Sequence, residues 1–148
     1  MLPDLNLPKY DFNLKSVEGK TYIFDIVRKK FVVLTPEEWV RQHLVHFLVN
    51  EKKYSTNWMV VEAPLHYNSM SKRADILCYN SHHKPHLIVE CKAPSIAITP
   101  KVFEQIARYN FELQVSYLLV SNGFDHYCSQ VDHNSKKSHF VSEIPSCC

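Results

Sequence analysis

The sequence predicts an α/β domain built on a mixed sheet with helices on its faces, and three observations carry that prediction. A capped, amphipathic helix opening at Thr35 is followed by three runs of strand-type residues, a second helix and a further apolar run. That last run, Val115 to Ser121, suits a central strand lying parallel to its neighbour after a helical crossover. The chain has 148 residues, 45% hydrophobic and 22% charged, enough for one well-cored domain and too few for two.

Each element has its own signal. Residues 1–19 contain prolines, are mostly polar and read as an arm packed on the domain. Lys20 to Leu34 reads as a strand pair, with Tyr22, Phe24 and Ile26 on one side and a turn at Arg28-Lys29-Lys30. Only two glycines occur, so tight primed turns should be few. In Thr35-Pro36-Glu37-Glu38, Thr35 is the N-cap, Pro36 the first helical residue and Glu38 the capping-box acid. Val40, Leu44, Phe47 and Leu48 then form a stripe that must face a core. On a helical wheel Glu37 turns toward that stripe and Glu38 away from it.

Trp58 to Tyr67 is the first strand of the next group, closing through Asn68-Ser69-Met70-Ser71 into Lys72 to Tyr79. A turn at residues 80–85 leads to His86 to Lys92, and Thr99-Pro100 starts a helix reaching Asn110 or Leu113. His126 to His133 and Ser138 to Ile144 make a last hairpin or edge. The single domain thus divides into an N-terminal arm and strand pair (1–34), a core that carries the chemistry (35–123) and a C-terminal edge segment (124–148).

Ionised residues stand where core strands should carry none. Strand alternation puts Glu90 and Lys92 on one face and Leu87, Val89 and Cys91 on the other, with Asp75 able to reach the first face from the neighbouring strand. Two acids and a lysine in a sheet are costly unless something pairs with them, and a divalent cation with a phosphate would do so. Acid-x-Lys alone means little, since ordinary usage gives about one hit in a chain this long. Glu18-Gly19-Lys20 and Glu51-Lys52-Lys53 fit it too, in polar, turn-like or helix-end surroundings. Only Glu90-Cys91-Lys92 lies in an apolar strand.

Asp75, then fourteen residues, then Glu90-Cys91-Lys92 resembles the D…(D/E)-x-K signature of the restriction-endonuclease-like, or PD-(D/E)xK, nucleases. Gln105-Ile106-Ala107-Arg108-Tyr109 resembles the Q-x-x-x-Y helix of their RecB-like branch. With residues 35–42, Arg73-Ala74-Asp75, residues 89–94 and Ser121-Asn122-Gly123, the chain is similar from Phe24 to Gly123 to the N-terminal nuclease domain of type I restriction enzyme R (motor) subunits. The resemblance implies a restriction-endonuclease-like αβββαβ core and a Mg²⁺-dependent DNA endonuclease in which Mn²⁺ substitutes. It implies Asp75 and Glu90 as metal ligands, the Cys91 carbonyl as a further one and Lys92 as the catalytic lysine. Gln105 and Tyr109, four apart and so stacked on one side of their helix, would line the cleft and steady the lysine or a phosphate.

In that family the first helix often lends an acid. Glu38 fits its pattern best, as a helix cap or a metal ligand, and Glu37 and Glu62 are the other candidates to complete the site. Glu62 reads as a sheet-face residue beside the site or as an exposed edge carboxylate. The resemblance also implies DNA and a separate motor or specificity subunit as partners, since no G-x-x-x-x-G-K-[ST] phosphate loop occurs in these 148 residues. The alternative is a silent nuclease fold that binds nucleic acid or a protein partner.

The remaining composition narrows the classes. Five cysteines without C-x-x-C spacing indicate neither a zinc site nor a disulfide framework, and His82, His83, His133 and His139 fall in polar loop-like sequence. A net charge of +2, with basic pairs at Lys29-Lys30, Lys72-Arg73 and Lys136-Lys137, is a modest footprint for a stand-alone DNA binder. No membrane span or signal-peptide pattern is visible, and a cytoplasmic protein is expected.

Overall fold

A computed structural model describes residues 2–67 and 70–147. Its first sheet is three antiparallel strands, β1 (Leu14–Val17), β2 (Lys20–Asp25) and β3 (Lys30–Val33). The arm is therefore shorter than expected, because Leu14–Val17 pairs with β2. A two-residue turn makes this possible: Glu18 (φ 50°) and Gly19 (φ 81°) both take positive φ between the paired Val17 and Lys20, the backbone a primed hairpin needs. The inward face of β2 is the one that carries Ile23 and Asp25. Both are fully buried, while Phe24 meets Phe31 edge-to-face on the other side.

Helix α1 (Pro36–Asn50) starts as its sequence dictates, with Thr35 Oγ1 accepting the Glu38 amide at 3.0 Å. It closes where Lys53 takes φ 66°. Val40, Leu44, Val45 and Leu48 lose all exposure against one face of the second sheet, each worth about 1.5–3 kcal/mol.

That second sheet has six strands in chain order: β4 (Met59–Tyr67), β5 (Met70–Tyr79), β6 (Pro85–Cys91), β7 (Tyr117–Ser121), β8 (His126–Asp132) and β9 (Lys137–Val141). All neighbours are antiparallel except β6 and β7, which run parallel across helix α2 (Pro100–Leu113), as the apolar run at Val115 to Ser121 predicts. Leu87, Val89 and Cys91 pack toward α1, and Ile88, Leu118 and Val120 toward Phe103 and Ile106 of α2. The expected order of helix, three strands, helix and strand is thus present, on a mixed sheet with a helix on each face. Asn68 and Ser69, the expected hairpin tip, lie outside the described residues.

Two local features position the site. The β5–β6 ladder ends at Ile76↔Val89, so the two strands part just where Asp75 and Glu90 stand. After β6, the loop 93–98 is held by Asn122, whose Nδ2 donates to the Ile96 carbonyl at 2.8 Å while its Oδ1 accepts the Phe124 and Asp125 amides.

Candidate active site

The gap between β5 and β6 is filled by a carboxylate. Asp75 Oδ2 accepts the Cys91 amide at 2.7 Å, taking a backbone donor that the ended ladder leaves over. The same carboxyl is in hydrogen-bond contact with Glu90. Burial raises the Asp75 pKa although the Cys91 amide and Arg41 oppose the rise. Burial, together with the Asp75 charge and hydrogen bond, pushes Glu90 up to about 8. Two carboxyls this close disfavour a second charge, so the pair takes up a proton more readily than free carboxylates do. The charge of Lys92 acts on Asp75, Glu90 and Glu37, which sets it in the same neighbourhood as the two acids. The two control motifs do not: Glu18–Lys20 is an exposed hairpin turn and Glu51–Lys53 a helix end.

Beside this pair lies a second, closed ionic cluster. Glu38 Oε1 accepts from Arg41 Nη2 at 2.6 Å and Arg28 Nη2 at 3.1 Å, and Oε2 accepts from Arg41 Nε at 2.9 Å and Gln42 Nε2 at 3.0 Å. Asp25, fully buried, takes Arg28 Nε at 2.7 Å, Gln42 Nε2 at 2.9 Å and the Val27 and Arg28 amides. Burial would raise both carboxyls, but these donors outweigh it and hold Asp25 and Glu38 below the usual range. Burial likewise opposes the Arg41 charge, and the Glu38 bonds with the Glu38 and Asp75 charges override it. The cluster meets the open pair at one point, where Arg41 Nη1 donates to Asp75 Oδ1 at 3.2 Å.

The first-helix acid must therefore be reassigned. Glu38 is spent on two arginines and a glutamine and has no lone pair directed at the Asp75–Glu90 pair, so it is a structural ion-pair residue rather than the tentative ligand. The helical wheel misplaced it because α1 is buried on a second side, against the Asp25–Arg28 turn as well as the sheet. Glu37 is the exposed one, and burial and the Asp75 charge raise its pKa while Arg41 and Lys92 lower it. Glu62 is 46% exposed, with its oxygens 3.5 Å from Arg28 and Arg41.

Gln105 is exposed on α2, and among the described residues no hydrogen bond joins it to Asp75, Glu90 or Lys92. The side chain of Tyr109 lies outside the described residues. Arg28, Asp25, Arg41 and Gln42 received no role from the sequence. Arg41 could have been found, since a buried glutamate demands a cation and Arg41 stands one turn from Glu38.

Would a metal fit? Asp75, Glu90 and Glu37 act on one another as like charges, opposed by Arg41 and Lys92, and this mutual repulsion of carboxyls is what a further positive charge would relieve. Among the described residues no three His, Cys, Asp or Glu side chains converge in ligand geometry. A two-carboxylate set still suits Mg²⁺, which keeps several waters and takes one or two protein carboxylates.

Comparisons with known proteins place this geometry. A solved fragment assigned as the HsdR subunit of a type I restriction enzyme from Vibrio vulnificus YJ016 superposes with a TM-score of 0.52 at 19% identity. The match covers 76% of this chain and 24% of that one, so this chain spans about a quarter of its length, and the likeness is one of fold. No curated protein sequence matches. The model of the type I restriction enzyme R protein N-terminus matches residues 36–145, which hold the first helix, both acids, Lys92 and the Asn122 loop, and the chain belongs to that family.

Proposed function

We propose that this chain is a divalent-metal-dependent endonuclease module that hydrolyses DNA phosphodiesters at Asp75, Glu90 and Lys92. One observation supports it above the others: two largely buried acids are in hydrogen-bond contact, with a lysine two residues beyond the second, in a gap between two strands. Asp75 and Glu90 would hold the ion, the Cys91 carbonyl would add a backbone ligand, and Glu37 is the nearest further acid. Mg²⁺, or Mn²⁺ in its place, would supply charge stabilisation at the phosphate and a water of lowered pKa. Lys92 orients the attacking water and offsets the negative charge that develops on the phosphate oxygens. Arg41 donates to Asp75 and partly offsets the effect of burial on it.

As in the family, DNA is the expected substrate and a motor or specificity subunit the expected partner. With a net charge of only +2, DNA affinity of the isolated chain should be weak and strongly salt-dependent. Nicking of supercoiled plasmid with and without Mg²⁺ tests the reading. Metal-dependent nicking that vanishes in Lys92→Ala supports it, and nicking that is unchanged in Lys92→Ala removes this site from the reaction.

A second reading, a non-cutting domain that binds nucleic acid or protein, draws on the fact that both Asp75 oxygens already accept hydrogen bonds from the protein. Such a domain would show no Mn²⁺ or Mg²⁺ binding that depends on Glu90.

A further inference from the structure

Resting on the nuclease reading, we infer that Arg73 is the protein's anchor for a substrate phosphate flanking the one cleaved. Arg73 stands two residues before Asp75 on β5, and Glu62 links the two: its carbonyl accepts from Arg73, while its carboxylate lies 3.5 Å from Arg41, which donates to Asp75.

Its state differs from that of its neighbours. Arg41 is buried and Arg28 half-buried, and both are committed to Asp25, Glu38, Glu62 and Asp75, so neither has a fork free for a phosphate. Arg73 is exposed, and among the described residues it makes no ion pair. It is held rather than loose, because Nη1 donates to the Glu62 carbonyl at 3.3 Å. Glu62 offers that carbonyl from a left-handed backbone (φ 55°), opposite Asp75 in the β4–β5 ladder, which pairs Val61↔Ile76 and Ala63↔Ala74 and skips the residues between. A non-glycine residue in that conformation is strained and persists only where its surroundings impose it. The kink turns the Glu62 carboxylate to Arg28 and Arg41 and its carbonyl to Arg73. The guanidinium that results is tethered at one nitrogen and open at the other, beside the acid pair, a fork suited to phosphate oxygens.

The test uses binding, not cleavage. Fluorescence anisotropy with a 20-base-pair duplex in EDTA, across a salt series, compares wild type with Arg73→Gln, Arg73→Lys and, as a remote control, Lys136→Gln/Lys137→Gln. Arg73→Gln should weaken binding about tenfold and reduce the salt slope by about one. Arg73→Lys should restore the slope, and the Lys136/Lys137 variant should lose less than Arg73→Gln. Calorimetric Mn²⁺ binding should be the same in all. Wild-type affinity and slope in Arg73→Gln overturn the inference and leave the nuclease reading standing. An equal loss in the remote control reduces Arg73 to one surface charge among many and overturns it too. A wild type with no duplex affinity overturns the inference together with DNA as the substrate.

Discussion

The two ionic clusters that meet at Arg41 are built from the same side-chain types and behave oppositely. In the Asp25–Arg28–Glu38–Arg41–Gln42 cluster every charge has an opposite charge at hydrogen-bond distance, and even the Gln42 amide is oriented by two carboxylates at the cost of leaving its own oxygen without a partner. In the Asp75–Glu90 pair, like faces like, and the conflict is relieved by a proton. The first arrangement stabilises a junction between two sheets and a helix. The second is poised to exchange its proton for another cation, which is why it, and not the richer cluster, reads as the site of chemistry.

Substitutions separate the two. The largest effect is expected at the open pair: Asp75→Ala or Lys92→Ala should lower metal-dependent cleavage by on the order of 10²–10⁴, measured by plasmid nicking. For Lys92→Ala the urea midpoint should stay near wild type. Next, Arg41→Ala leaves Glu38 buried and uncompensated and should cost about 3–5 kcal/mol in urea unfolding. A midpoint unchanged in Arg41→Ala would mean that the closed cluster is not closed.

The pH dependence of stability should show both clusters with opposite signs. Asp25 and Glu38 have lowered folded pKa values, so their stabilisation is present above about pH 4 and is lost as pH falls through those values. Glu90 has a raised one, so between its unfolded value near 4.3 and about 8 the folded state binds more protons and stability falls as pH rises. Glu90→Gln should remove the alkaline-side decline and leave the acid-side loss intact, as followed by thermal unfolding across pH 3–9. A smaller effect belongs to the arm. At Gly123 (φ 91°) an added Cβ would meet the Leu5 side chain at 2.7 Å, so Gly123→Ala should cost about 1–2 kcal/mol and loosen residues 2–13 in hydrogen exchange.

The open pair was legible in the sequence because its residues break a pattern: acids and a lysine in Ile-, Leu- and Val-rich strands stand out, and strand parity then predicts that Glu90 and Lys92 share a face. The element order was legible for the same reason, since Thr35-Pro36 and Thr99-Pro100 mark helix starts and the helices carry no glycine. The closed cluster was not. Asp25 and Arg28 sit in a turn-like stretch where charge is ordinary, and nothing local shows that this turn folds against α1. The same long-range contact exchanges the roles of Glu37 and Glu38. The left-handed Glu62 was equally hidden, because only its partners across the ladder impose it.

The central claim, that the Asp75–Glu90 pair holds a proton a divalent cation can replace, is tested most directly by calorimetric titration of Mn²⁺ at pH 7 in buffers of different ionisation enthalpy. Wild type should bind one ion with release of about one proton, and Glu90→Ala should lose both the binding and the release. Binding without proton release, or binding that survives in Glu90→Ala, would contradict the account.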